Sequence, residues 1–125
     1  MGPTRHLLLV EDQAIIALDE ARRLERSGFA VTRASTGEEA VAVAAEQRGL
    51  DLVLMDIDLG PGMDGTEAAR RILSIRDIPI VFLTGHAERE MVDRVRGITR
   101  YVYVLKNSGD FVLMSSIEMA FELYD

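Results

Sequence analysis

Apolar runs without polar alternation recur along this chain, and stretches of helical spacing separate them. Leu7-Leu8-Leu9-Val10, Leu52-Val53-Leu54-Met55 and Ile80-Val81-Phe82-Leu83 read as strands buried on both faces of a sheet. Phe29 to Ala34 and Tyr101 to Leu105 read as two more. From Gln13 to Ser27 the positions Ala14, Leu18, Ala21 and Leu24 predict a helix with one buried stripe, stopped by Gly28. Ser35 and Thr36 each have a glutamate three residues on, Glu38 and Glu39, the spacing of a capping box, so a small alanine-rich helix should run to Gln47. Thr66 to Ile75 and Glu88 to Arg96 return to helical spacing. Gly109 to Leu123 closes the chain as a helix expected to bury Phe111, Met114, Ile117 and Phe121. Five strands alternating with five helices predict an α/β fold: a parallel, doubly wound sheet covered on both faces.

Composition narrows this picture. A chain of 125 residues that is 48% hydrophobic should fold as one domain, expected over residues 5–125. The net charge of −7 argues against a surface that wraps nucleic acid or anionic lipid. There is no cysteine, which removes disulfides and thiolate chemistry and fits a reducing, cytoplasmic setting. No apolar run has the length of a membrane span.

The candidate chemistry lies where the strands stop. Four of the five end in a polar or charged group, and parallel strands bring those ends to one edge of the sheet: Glu11-Asp12, Asp56, Thr84 and Lys106. Each alone has an ordinary reading. Asp12 and Thr84 could be helix caps, Lys106 a solvated lysine and Tyr103 a plain core or edge aromatic. Together, three acids at one edge would repel unless a cation sat among them. Oxygen ligands without His or Cys nearby favour Mg²⁺ over zinc, and Mg²⁺ keeps room for waters and a phosphate oxygen. A lysine and a hydroxyl at the same edge could hold the other phosphoryl oxygens. The chemistry indicated is phosphoryl transfer onto Asp56, giving an aspartyl phosphate.

Val10-Glu11-Asp12, Leu54-Met55-Asp56, Thr84-Gly85 and Tyr103-Val104-Leu105-Lys106 resemble the receiver domain of two-component response regulators, in the family's order and over essentially the whole chain. The resemblance implies a flavodoxin-like strand order, 2-1-3-4-5. It implies Asp56 as phosphoacceptor, Asp12 and Asp56 as direct Mg²⁺ ligands, Glu11 as a helper through water, and the backbone carbonyl of Asp58 as the third protein ligand. Lys106 would pair with the phosphoryl group, Thr84 would move to hydrogen-bond it, and Tyr103 would turn into the space vacated. The implied partner is a histidine kinase or phosphotransfer protein. A homodimer would form through the fourth helix, fifth strand and fifth helix, with no direct contact to nucleic acid or membrane. Such a domain is not an enzyme beyond catalysing its own phosphorylation and slow dephosphorylation.

Two departures from the family pattern stand out. The loop Leu59-Gly60-Pro61-Gly62-Met63-Asp64-Gly65 is one residue longer than usual. Asn107 follows Lys106 where the family usually has a proline in a cis peptide; a non-proline cis bond costs ~2.5–4 kcal/mol, so a trans bond is expected. Gly-x-Met-Asp-Gly-x-Glu-Ala-Ala together with Lys-Asn-Ser-Gly is similar to receivers attached to sensor histidine kinases.

Two other motifs compete. Gly60 to Gly65 matches the dinucleotide pattern G-x-G-x-x-G, but acids intervene after the strand, and the residue about 20 further on is Gly85, not an acid. Asp56-Ile57-Asp58 resembles the nucleophile motif of haloacid-dehalogenase phosphatases, which also use an aspartyl phosphate, Mg²⁺, a Ser/Thr and a Lys. In that family the nucleophile strand comes first in the chain, and here it comes third. No room for an output domain follows Asp125, so either a lone shuttle or a piece of a larger protein is expected.

Overall fold

The computed structural model describes residues 4–85, 95, 98, 101–106 and 108–124. Five parallel strands form its centre: β1 (His6–Val10), β2 (Ala30–Ala34), β3 (Leu52–Asp56), β4 (Ile80–Thr84) and β5 (Tyr101–Leu105). They lie in the order β2-β1-β3-β4-β5, as expected. β3 and β4 are buried at every position, which is why neither alternates polar with apolar residues.

Four helices are seen among the described residues: α1 (Ala14–Arg26), α2 (Gly37–Glu46), α3 (Gly65–Ile75) and, last in the chain, α4 (Asp110–Tyr124). The helix expected over Glu88–Arg96 lies outside the described residues except for Val95, which is buried in the core. The Lys106–Asn107 bond also lies outside them.

The sheet divides the core in two. Against α2 and α3 it turns Leu8, Val10, Val53, Met55, Ile80 and Phe82. Against α1 and α4 it turns Leu7, Leu9, Leu52, Leu54, Val81 and Leu83. Thr36 caps α2 by accepting from the Glu39 amide at 3.0 Å, and Glu39 returns a bond to the Ser35 amide at 2.9 Å. The other glutamate of the pair, Glu38, instead accepts from the Met63 amide at 3.4 Å and so ties the long loop after β3 to α2.

Two helices face the core differently from the sequence expectation. α1 buries Ala17, Glu20, Ala21 and Leu24, while Ala14 and Leu18 are exposed and Ile15 is 85% exposed. Apolar side chains stand on several sides of this helix, so periodicity alone left its rotation open. Ala21 and Leu24 carry it into the core it shares with β1 and β3. α4 buries Leu113, Ile117, Ala120 and Phe121; Met114 is half-buried, and Phe111 points outward at 84% exposure.

The loop after β3 closes on Gly65, the first residue of α3. Its amide donates to the Ile57 carbonyl at 3.1 Å, and a Cβ there would run into the Asp56 carbonyl and the Ile57 Cα. Both obstacles are backbone, so neither can swing aside. Gly65→Ala should therefore destabilise the fold by about 1–3 kcal/mol and shift the end of β3. Chemical denaturation, with amide spectra around Asp56, checks this; a variant as stable as wild type with an unshifted Asp56 amide would contradict it.

Candidate functional site

β1, β3, β4 and β5 deliver their ends to one rim of the sheet. Glu11 continues the ladder past β1, its amide donating to Ala34 O at 3.1 Å, and its carboxyl is buried. One oxygen, Oε1, accepts from the Gln13 amide at 3.2 Å. Asp12 beside it is exposed, and the N-cap of α1 is Gln13, so Asp12 does not serve as a cap. Asp56 ends β3, fully buried at 0% exposure. Its Oδ1 accepts from the Asp58 amide at 2.9 Å and meets Lys106 Nζ at 3.1 Å. Asp58 thus folds its backbone over Asp56 while the residue itself is exposed.

Lys106 is held by its own backbone, whose amide donates to the Thr84 carbonyl at 2.7 Å. Ser108 braces the turn behind it, with its amide and hydroxyl both donating to Leu105 O at 3.3 and 2.6 Å. Thr84 is buried at the end of β4, and Tyr103 is half-buried against the core formed with α2 and α3. The pairs Phe82–Tyr103 and Thr84–Leu105 put Thr84 and Tyr103 on the same face of neighbouring strands, two positions apart. All the residues singled out from the sequence therefore meet at this rim, with Tyr103 one step behind it.

The electrostatics are those of an under-compensated acid cluster. One carboxylate oxygen each from Glu11, Asp12 and Asp56 lie within 4.8 Å of one another. Glu11 Oε2 and Asp56 Oδ2 are buried without a hydrogen-bond partner. Lys106 Nζ is 3.9 Å from Glu11 Oε2, too far for a hydrogen bond. Burial, and then the adjoining Asp56 carboxylate, push the Glu11 carboxyl up to about 8, with Lys106 opposing the rise. Burial disfavours the charge on Lys106, but Asp56, its hydrogen bond, Glu11 and Asp58 outweigh it and hold the ammonium above its usual range. Two orphaned carboxylate oxygens and a third acid open to solvent form an all-oxygen donor set that fits a hard divalent cation with water in its remaining positions. The same rim can offer a carboxylate nucleophile, an ammonium and a hydroxyl to one phosphoryl group.

The structure also shows residues that the sequence patterns did not single out. Asp64 caps α3, accepting from the Glu67 amide at 2.9 Å and the Thr66 hydroxyl at 2.7 Å. Its place just before a helix was the available signal. Glu20, an acid buried in the core stripe of α1, gave no signal once the stripe was placed on another side of the helix.

Comparisons with known proteins agree with this geometry. Residues 7–118 match the family model for the response regulator receiver domain. The transcriptional regulatory protein PdtaR of Mycobacterium tuberculosis is 38% identical over 117 residues, covering 93% of this chain and 56% of that protein. The chain thus spans about half the length, or less, of the curated relatives it first matches. Among solved structures, the N-terminal domain of a response regulator/sensory box/GGDEF protein from Carboxydothermus hydrogenoformans is 41% identical. It superposes with a TM-score of 0.88, with 96% of each chain covered. The receiver domain of a sensor histidine kinase from Pseudomonas aeruginosa, solved with a magnesium ion coordinated in its active-site cleft, is 28% identical. Its TM-score is 0.84, with 96% of this chain and 99% of that one covered. These matches leave the phosphatase alternative without support. The chain belongs to the response regulator receiver domains, the phosphoacceptor signalling modules of two-component systems rather than classical enzymes.

Proposed function

We propose that residues 5–125 act as one receiver in which Asp56 takes a phosphoryl group from a histidine kinase or phosphotransfer protein. The observation that carries this is the Asp56 carboxylate itself. Its Oδ1 is held by the Asp58 amide and Lys106, and Oδ2 has no hydrogen bond, so Oδ2 is the oxygen left to attack phosphorus. The donor's phosphorus–nitrogen bond breaks as the Asp56–phosphorus bond forms, so the domain catalyses its own modification and, with water in place of the carboxylate, its slow reversal. Asp12 and Asp56 are the metal ligands of this reading, with Glu11 through water and the Asp58 carbonyl beside them. Mg²⁺ bound there would neutralise the crowded acids and the incoming phosphoryl oxygens. Lys106 pairs with those oxygens, and Thr84 swings to donate to them, freeing space for the Tyr103 ring.

The changed surface would be read by a partner or a second copy across the expected Glu88–Arg96 helix, β5 and α4. The exposed Val112, Met119 and Leu123 of α4 support an apolar contact there. The net charge of −7 supports a domain that does not itself touch nucleic acid. Among the described residues no helix is long and apolar enough to cross a membrane. The reading places the domain in the cytoplasm, where ATP-derived phosphodonors are made. The likeness to a sensor-kinase receiver supports that branch of the family.

Acetyl phosphate with Mg²⁺ should add one phosphoryl group to the wild type by intact mass, and none to Asp56→Asn. Equal labelling of both would move the acceptor elsewhere.

The raised Glu11 carboxyl sets a pH dependence. The metal-free fold binds this proton more tightly than the unfolded chain. Its contribution is therefore full below about 4.5 and is lost as pH rises to about 8. Mg²⁺ binding must displace the proton, so affinity should tighten with pH, by up to about tenfold per unit, and level off above about 8. Thermal melts with and without Mg²⁺ at pH 6 and 8.5 should show a larger Mg²⁺ stabilisation at the higher pH; the reverse order would contradict the assignment.

For the switch, a beryllofluoride phosphoryl mimic should alter hydrogen exchange across β5 and α4 in the wild type. The response should be much smaller in Thr84→Ala and Tyr103→Ala. An equal response in all three would show that these residues do not carry the signal.

A further inference from the structure

The core stripe of α1 is Ala17, Glu20, Ala21 and Leu24, three apolar residues and one acid. Glu20 is only 8% exposed, a position where an acid is rarely found without a partner. Its Oε2 is buried with no hydrogen bond. The cation one turn on, Arg23, gives its Nη atoms to other acids, Asp110 at 2.6 Å and Asp19 at 3.3 Å, while its Nε is buried without a partner. Neither contact serves Glu20.

What Glu20 does face is a cavity of about 700 Å³ between α1, the end of β5 and the start of α4. Ile16, Leu83, Val104 and Leu113 give it apolar walls, and Lys106 lines it as well. Sheet register explains the meeting. Asp56 is paired with Leu83, and Leu83 with Val104, so Asp56, Val104 and, two residues on, Lys106 belong to the sheet face that α1 and α4 cover. Burial holds the Glu20 carboxyl above its usual range; Arg23 and Lys106 oppose the rise, and Asp56 and Asp19 add to it.

Lys106 now sits at Asp56 and Glu11, the carboxylates that also form the candidate cation cluster. An ammonium and a divalent cation repel when they share these oxygens. A displaced ammonium needs another acceptor, and across the cavity lies a carboxylate oxygen that has no donor.

We propose that Glu20 is the alternative seat of Lys106, a positioning residue to which the ammonium moves across the α1–α4 cavity when a divalent cation occupies the Glu11–Asp12–Asp56 cluster. The proposal rests on the metal reading above. It makes the buried acid of α1 part of metal loading: with Glu20 present, the lysine leaves the cluster for a compensated position and stays close enough to return to a phosphoryl group.

A double-mutant cycle on Mg²⁺ affinity tests it, using titrations followed by amide shifts on the whole chain. Glu20→Gln should weaken Mg²⁺ binding about three- to tenfold, a coupling expected of charges in one network. In a Lys106→Met background, where no ammonium needs a seat, the same substitution should change binding by less than about twofold. A field effect of Glu20 acting directly on the metal would persist in that background. Equal effects in both backgrounds, no effect in either, or tighter binding by Glu20→Gln would overturn the proposal. Glu20→Leu gives the same cycle with an apolar side chain that suits the stripe. Both variants should melt no lower than wild type, and unfolding of both would show a structural role and sink the idea. A wild type that binds no Mg²⁺ would sink the metal reading and this inference together, whereas a wild type that binds it without the coupling sinks the inference alone.

Discussion

Carboxyl groups of Glu11 and Asp56 are held almost wholly out of water, with their oxygens and one of Asp12 within 4.8 Å of one another. Water cannot screen them, and the single ammonium of Lys106 covers one oxygen well and another poorly. Everything else about the rim follows from this crowding. The Glu11 carboxyl is pushed up and can share a proton with Asp56, and the lysine is drawn in from β5. Left alone, such a site is strained electrostatically. It is relieved by positive charge, and in the proposed reading it is reorganised when a phosphoryl group is added to Asp56.

The core makes that crowding sustainable. β3 and β4 are buried along their whole length, and pairing holds their ends in register, Asp56 with Leu83 and Thr84 with Leu105. Gly65 lets α3 close directly onto the Asp56 carbonyl, so the acid cannot retreat. A close-packed sheet with polar side chains at its rim can convert a local charge change into a choice between arrangements, because packed elements have discrete alternatives rather than continuous ones. In the proposed reading Thr84 and Tyr103, on one face of adjacent strands, make such a choice. Glu20 and Lys106, lining one cavity on the opposite face, are the pair inferred to make another.

Much of this was legible from residue order. Apolar runs ending in Glu11-Asp12, Asp56, Thr84 and Lys106, alternating with helical spacing, read as parallel strands, and parallel strands bring like ends together. Capping residues before α2 also showed themselves by type and spacing. The rotation of α1 was not legible. Ile15, Ile16 and Leu18 compete with Ala17, Ala21 and Leu24 for the core, and no local preference ranks them. Phe111 misled for a related reason: its size argues for burial, yet α4 has enough apolar residues to cover the sheet without it.

The rim and the acids on it were thus determined by the sequence itself, because parallel strands bring like ends together, whereas the strand order came from the resemblance to receiver domains. Which carboxylate oxygens lack donors, and how far Lys106 reaches, depended on distances between groups far apart in the chain. The same holds for the acid buried under α1, whose exposure was decided by how the helix rolled against the sheet. Local spacing carries no information about that roll; packing of Ala21 and Leu24 into the core over β1 and β2 settled it, and with it the place of Glu20.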